Sequence, residues 1–190
     1  MRAPPVVCVF GISGVGKTTL IQAALKDVPG GLHLEASALI KQGLADPAMD
    51  SDQLRQAGGE RVLANQQILV TMFQRSAGMR PASVVVFDGH LVIDVEERLV
   101  EIPEDVIAAL GPRMLVHVED DPALISRRRK GDPSRSRAQR SAEALSLHQH
   151  ASRRLCAKYG IALDVPTITL GPHAARQLAE VLLTFYSGRR

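Results

Sequence analysis

The sequence predicts an α/β fold built on a parallel sheet. Short apolar runs without alternation recur along the chain, the pattern of parallel strands covered on both faces. Helical patterns fall between them, so strand and helix alternate. A glycine-rich turn joins the first run to the first helical pattern. The runs are residues 6–10, 32–35, 84–88 and 114–118, with a weaker fifth at 167–170. The helical patterns cover 17–26, 36–42, 59–76, 104–109, 122–129, 142–158 and 173–185. No repeat, low-complexity tract or linker divides the 190 residues, which reads as a single domain over 1–190. The polar stretches 43–59 and 131–140 stand out as mobile or functional.

Composition narrows the classes. Apolar residues make up 45% of the chain and aromatics 3%, with no Trp, so the core rests on Val, Leu, Ile and Ala. Base stacking on aromatic platforms is therefore not expected. A net charge of +3 is too small to imply nucleic acid by itself, and a nucleic-acid partner is only weakly supported. No apolar stretch reaches membrane-spanning length, and the N-terminus does not read as a signal peptide, so a cytoplasmic protein is expected. Cys8 and Cys156 make no disulfide framework and read as buried, reduced thiols.

The turn after the first strand is Gly11-Ile12-Ser13-Gly14-Val15-Gly16-Lys17-Thr18, which fits G-x-x-x-x-G-K-[ST] in its strand–helix context. Glycines permit the backbone conformations that turn successive N–H groups toward phosphates. Gly11, Ser13, Gly14, Val15, Gly16, Lys17, Thr18 and Thr19 are thus candidates for holding the triphosphate of ATP, with Arg129 beside them. Lys17 would neutralise the β- and γ-phosphates and Thr18 would ligate Mg²⁺.

The third run ends in Asp88-Gly89-His90. An acid closing an apolar strand beside such a loop holds Mg²⁺, directly or through water, or else it caps a turn. Gly89 follows where motor-type ATPases usually carry a carboxylate, and no Asn-Lys pair supplies guanine specificity. The small P-loop kinases remain. Against an alcohol acceptor Asp88 would be a general base; against a phosphate acceptor it would serve Mg²⁺ and positioning.

Between Arg127 and Arg140 stand six Arg and one Lys against the single acid Asp132. Such a run is a solvated loop or, next to a P-loop, a lid that excludes water and meets the charge of the phosphoryl in flight. Arg128, Arg129, Arg135 and Arg137 flank the Gly131-Asp132-Pro133 turn as lid candidates, while Arg127 and Arg140 read as solvated. Arg55 is the candidate for the acceptor's phosphate, or a surface Arg. Ser37 and Ser51 are acceptor contacts or helix N-caps. His90 orients Asp88 or the acceptor, or starts a loop. His33, His117 and His173 lack partners at metal spacing and read as structural or exposed. The Asn65-Gln66-Gln67 run reads as a solvated helix face, with contact to a base edge as the alternative.

In order along nearly the whole chain, these motifs resemble the archaeal-type adenylate kinases and related small nucleoside monophosphate kinases. The phosphate loop is similar to theirs, as are Ser51-Asp52-Gln53-Leu54-Arg55 and Asp88-Gly89-His90. The most specific match is Arg128-Arg129-Lys130-Gly131-Asp132-Pro133-Ser134-Arg135-Ser136-Arg137, with His148-Gln149 at the family distance. The resemblance implies a five-stranded parallel sheet flanked by helices, an acceptor-binding helical segment over about 36–76, a short lid over about 128–142, MgATP and a nucleotide acceptor. Departures cluster where the acceptor binds: Ser51 stands in place of Asp, and Glu35-Ala36-Ser37-Ala38 in place of a Tyr/Phe-Gly element. In the lid, Ala138 replaces the usual Asp. Two alternatives stay open: a kinase of a hydroxyl on a small metabolite or nucleic acid, and a nucleotide-dependent ATPase or assembly factor.

Overall fold

The computed structural model describes residues 3–45, 59–79, 81–95, 98–131 and 140–186. Strand β1 (Val6–Phe10) leads through the glycine-rich loop into α1 (Lys17–Leu25). Then come β2 (Gly31–Glu35), α2 (Ala36–Gly43), α3 (Gly59–Met79) and β3 (Val84–Gly89). A hairpin follows, β4 (Val92–Val95) and β5 (Arg98–Glu101), and then α4 (Glu104–Ala109) and β6 (Pro112–Val118). The chain continues with α5 (Pro122–Lys130), α6 (Ala142–Ala162), β7 (Thr167–Leu170) and α7 (Ala175–Tyr186).

Five strands form one parallel sheet in the order β2-β3-β1-β6-β7. This is the expected α/β sheet, and β1 is central because it is apolar on both faces. Val7 and Val9 face a core with Leu20 and Ile21 of α1 and Leu178 and Leu182 of α7. Cys8 and Phe10 face a second core with Leu69 and Phe73 of α3 and Leu155 of α6. Edges of Phe10 and Phe73 meet the ring of Phe87 between them. The chain leaves β1 toward β2 on one side and reaches β6 on the other. The carboxyl end of β1 is therefore a switch point, where an open α/β sheet leaves a crevice.

Local sequence explains the helix starts. Asp121 caps α5 by accepting from the Ala123 N–H at 2.7 Å, with Pro122 in the first turn. Ser141 caps α6 through the Ala144 N–H at 3.1 Å. Helix α1 has no side-chain cap. Its N-cap is Gly16, at φ 104°.

The hairpin β4–β5 is absent from the sequence reading. It is held by α6: the Nε2–H of His148 donates to the Val92 carbonyl at 3.0 Å, and the Tyr159 hydroxyl donates to the Ile102 carbonyl at 2.7 Å. Arg140 corrects a second expectation. It is not solvated but makes a bidentate pair with Asp94 on β4, Nε to Oδ2 at 2.9 Å and Nη2 to Oδ1 at 3.0 Å. The hydrogen bond from Arg140 holds the Asp94 carboxyl below its usual range, outweighing the opposing effect of burial. Both side chains are about one-fifth exposed, at 21% and 17%. A paired, partly desolvated charge of this kind is worth more than a surface ion pair. Arg140→Ala is expected to lower stability by about 1–2 kcal/mol. Urea denaturation checks this, and a loss below about 0.5 kcal/mol would return Arg140 to the solvated class.

Cys8 and Cys156 are buried free thiols. Burial pushes Cys156 up to about 12, and burial next to Cys156 pushes Cys8 higher still. His173 is exposed. His117 is buried on β6, with Nε2 3.1 Å from the Ser152 hydroxyl. Burial, reinforced by Arg153 and Lys17, pushes its pKa down to about 4. A histidine depressed on folding lends stability that is full above its unfolded pKa and is lost as pH falls through the window down to the folded value. From pH 7.5 to 5 the loss attributable to His117 is about 2 kcal/mol. His148, also depressed by burial, adds to it with the same sign. His117→Gln, which keeps a polar nitrogen near Ser152 but cannot titrate, is expected to flatten this slope. Urea midpoints at the two pH values read it out, and equal slopes in both proteins would remove His117 as the cause.

Candidate active site

The site is built on the carboxyl ends of β1, β3 and β2. In register, Val9 pairs with Asp88 and Glu35 pairs with Asp88. The loop after β1 reaches α1 through Gly14 at φ 80° and Gly16 at φ 104°, conformations that L side chains rarely adopt. A Cβ on Gly16 would also stand 2.9 Å from the Pro172 side chain. With Gly16 as its N-cap, α1 keeps its first N–H groups free of a competing side chain, as an anion site requires.

Lys17 curls back over the loop. Its buried Nζ donates to the carbonyls of Gly11 at 3.0 Å and Ile12 at 3.4 Å and stands 3.8 Å from Asp88 Oδ1. The Thr18 hydroxyl donates to Asp88 Oδ2 at 2.7 Å. His33 Nε2 lies 3.6 Å from the same oxygen. Burial would raise the Asp88 pKa, but Lys17, His33 and Thr18 together outweigh it and hold the carboxyl below its usual range. Asp88 is thus an ionised, hydrogen-bonded carboxylate and a poor base near neutral pH.

The donor set suits Mg²⁺. A hydroxyl and a carboxylate in mutual contact at the phosphate end are hard oxygen ligands and fit this cation. Thr18 and Asp88 would hold it. Among the described residues no group of three or more His, Cys, Asp or Glu forms a metal cage. Mg²⁺ commonly needs none, because substrate phosphates and water complete its shell.

The carbonyl of Gly11 also accepts from His90 at 2.7 Å, so His90 carries its proton on Nδ1. Arg128 and Arg129 meet the loop rather than standing off as a raised lid. Arg128 Nη1 donates to Val15 O at 2.9 Å and Gly14 O at 3.3 Å, while Nη2 pairs with Asp120. Gln149 grips the backbone of Asp120 through both ends of its amide, at 2.8 and 3.0 Å. Arg129 donates from Nε and Nη2 to Ser13 O at 2.9 and 2.7 Å. These guanidinium groups satisfy loop carbonyls from α5. Arg127 is exposed.

A cavity of about 660 Å³ runs from this loop across Asp88 and His90 to a far wall formed by α3, β4 and α4. Arg128 and Ser37 line it. Ser37 sits inside α2, whose N-cap position is Glu35, so Ser37 is not a cap. The far wall is apolar, with Val62, Leu69, Ile93, Ile102 and Ile107, except for Asn65 and Gln66. Those two are 7% and 5% exposed, which corrects the reading of a solvated face; only Gln67 of that run is exposed. Arg55, Arg135, Arg137 and Ser51 lie outside the described residues, as do parts of the expected acceptor segment and lid.

Sequence reasoning missed His33 and Glu35 as neighbours of Asp88. The signal was present: they are alternate residues of β2, and the strand end that carries Glu35 pairs with the end of β3.

A family model described as AAA domain matches residues 10–146. The chain is 32% identical over 166 residues to an adenylate kinase of Methanoculleus marisnigri, covering 82% of this chain and 83% of that one. The chain belongs to the AAA domain family and to the archaeal-type adenylate kinase group of small P-loop kinases. An adenylate kinase of Thermoplasma acidophilum is 29% identical over 160 residues, 80% of this chain and 81% of its own. Among solved structures, shikimate kinase from Acinetobacter baumannii superposes with a TM-score of 0.62 at 16% identity, covering 98% and 95% of the two chains. Shikimate kinase from Bacteroides thetaiotaomicron gives 0.58 at 14%, covering 95% and 98%. The structural matches show the P-loop kinase fold. The adenylate kinase relatives make this chain a kinase. Among the described residues no helix is long and apolar enough to cross a membrane.

Proposed function

We propose that this kinase transfers the γ-phosphoryl of MgATP to a nucleoside monophosphate, AMP first among them. The observation that supports this most is the division of this cavity into two ends. Its charged end holds Lys17, Thr18 and Asp88, and its apolar end is walled by α3, β4 and α4 with amides among the aliphatic side chains. That division suits a phosphate at one end and a base at the other. The relatives named adenylate kinase favour AMP. In this reading Lys17 neutralises the β- and γ-phosphates, and Ser13, Gly14, Val15, Gly16 and Thr19 cradle them. Arg128 and Arg129 shape the loop. Arg135 and Arg137 meet the phosphoryl in flight, and Arg55 meets the acceptor's phosphate. Ser37 and His90 border the acceptor. A phosphate acceptor is already ionised at neutral pH, so the low basicity of Asp88 is no obstacle.

A hydroxyl acceptor is the second reading. It needs a base, which would be Asp88, with Glu35, its register partner on the same cavity, as a further carboxylate. A phosphotransfer screen with labelled ATP separates the two. Conversion of AMP, or of CMP, UMP or GMP, to the diphosphate is the expected result. Transfer to alcohols alone, or hydrolysis without transfer, would reject the nucleotide reading.

A further inference from the structure

His33 places a ring nitrogen beside Asp88 that bonds nothing among the described residues. Leu32 and Leu34 of β2 pack into the core that α3 covers, so His33 and Glu35 point to the opposite face of the sheet. His33 pairs in register with Val86, and Asp88 lies two residues further along the same face of β3. The side chain is 15% exposed, and its Nε2 is buried without a hydrogen-bond partner among the described residues. Nδ1 of His117 and of His148 share that condition, but both of those rings are anchored through Nε2. A buried polar atom left unpaired costs free energy, so one that persists beside reacting groups is a candidate for a task there. His33 Nε2 stands 3.6 Å from Asp88 Oδ2, just beyond hydrogen-bond range. That oxygen is already taken by the Thr18 hydroxyl at 2.7 Å. One carboxylate oxygen thus has two donors near it, one bonded and one standing off.

We propose that His33 is a positioning residue, a reserve donor that fixes the Asp88 carboxylate when the Thr18 hydroxyl turns to Mg²⁺. This rests on the reading that Thr18 and Asp88 hold the cation of MgATP. A hydroxyl that gives a lone pair to a cation is turned in a new direction, and its bond to Oδ2 is weakened or lost. Lys17 stands 3.8 Å from the other oxygen, Oδ1, and is drawn toward the phosphates in the same state. Asp88 then loses both present partners when its orientation matters most. His33 alone of the three neighbours belongs to the sheet; Lys17 and Thr18 open α1. A small closure brings Nε2 to ordinary N–H···O length. The bond needs the proton on Nε2, because a lone pair turned toward a carboxylate repels it. A hydrogen bond to a ligating carboxylate fixes its orientation and strengthens its hold on the metal.

The test uses His33→Leu, which keeps bulk and removes the donor, and His33→Gln, whose amide N–H reaches about as far as Nε2. A fluorescent ATP analogue is titrated in Mg²⁺ and in EDTA, and ATP turnover is followed against Mg²⁺ concentration. His33→Leu is expected to leave affinity in EDTA within about twofold and to raise the Mg²⁺ concentration for half-maximal rate by about tenfold. His33→Gln is expected to recover most of that loss. In an Asp88→Asn background His33→Leu should add nothing, since its effect runs through that carboxylate. The urea midpoint of His33→Leu should not fall, because the nitrogen removed has no bond to lose. A lower midpoint, with affinity reduced equally in Mg²⁺ and EDTA, makes His33 a structural residue and overturns the inference. So does a wild-type Mg²⁺ requirement in His33→Leu where Asp88→Asn raises it, an outcome that leaves the cation reading standing. If Asp88→Asn itself leaves the Mg²⁺ requirement unchanged, the cation reading of Asp88 fails, and the inference fails with it.

Discussion

Lys17→Ala is expected to lower phosphotransfer by about three orders of magnitude and to weaken ATP binding. The Lys17 ammonium is 6% exposed and already held by the carbonyls of Gly11 and Ile12. It is therefore desolvated and positioned before any ligand arrives, and its attraction for a phosphate is not spent on reorganisation. The change has a second consequence. Lys17 is the largest of the influences that hold the Asp88 carboxyl ionised, so its loss lets burial raise that pKa. Activity remaining in the mutant should then fall off at a higher pH than in the wild type, on the acidic side. Lys17→Arg keeps the charge, but a planar fork does not fit a slot shaped for a compact ammonium, so little rescue is expected. Steady-state kinetics and titration with a fluorescent ATP analogue check both arms. Near-wild-type turnover in Lys17→Ala would remove the loop from the mechanism.

The sheet and the phosphate loop were legible because each rests on local chemistry. Val6–Phe10 is apolar on both faces, which only a covered parallel strand tolerates, and the turn after it carries glycines where positive φ is needed. What sequence reasoning missed depends on tertiary pairing. The hairpin consists of two four-residue strands, and the intervening Glu96-Glu97 carries none of the Asn-Gly or Asp-Gly signal of a tight turn. Its contacts to His148 and Tyr159 on α6 come from about 57 residues away. Arg140 belongs by sequence to a basic run, and only the hairpin gives it a carboxylate. Asn65 and Gln66 looked solvated because polar residues on helices usually are. Yet they occupy stripe positions between Val62 and Leu69, a conflict between residue type and position that was open to reading in the sequence and was not used. Spacing identified Arg128 and Arg129 with a lid; that both also bond the backbone of the phosphate loop is a tertiary contact no local pattern carries.

Asp88→Asn is expected to reduce kcat by about a thousandfold while preserving the fold, and it separates the two roles open to this residue. The carboxylate is 7% exposed and enclosed by Thr18, Lys17 and His33. An amide of the same shape keeps the hydrogen bond from Thr18 but removes the charge. If Asp88 serves Mg²⁺, the mutant should need a higher Mg²⁺ concentration for half-maximal rate. Its binding of ATP without the metal should hold or tighten, because a negative charge beside the phosphates has gone. If Asp88 were a general base, wild type would show an acidic limb in kcat near the pKa of that base, and Asp88→Asn would abolish the limb without changing the Mg²⁺ requirement. The depressed pKa of Asp88 favours the first outcome, since a carboxylate held ionised by an ammonium and a hydroxyl gains little by taking a proton. Magnesium titrations and pH–rate profiles on the two proteins decide it. An unchanged Mg²⁺ requirement together with a lost acidic limb would transfer Asp88 from cation holder to base, and would move the hydroxyl acceptor ahead of the phosphate.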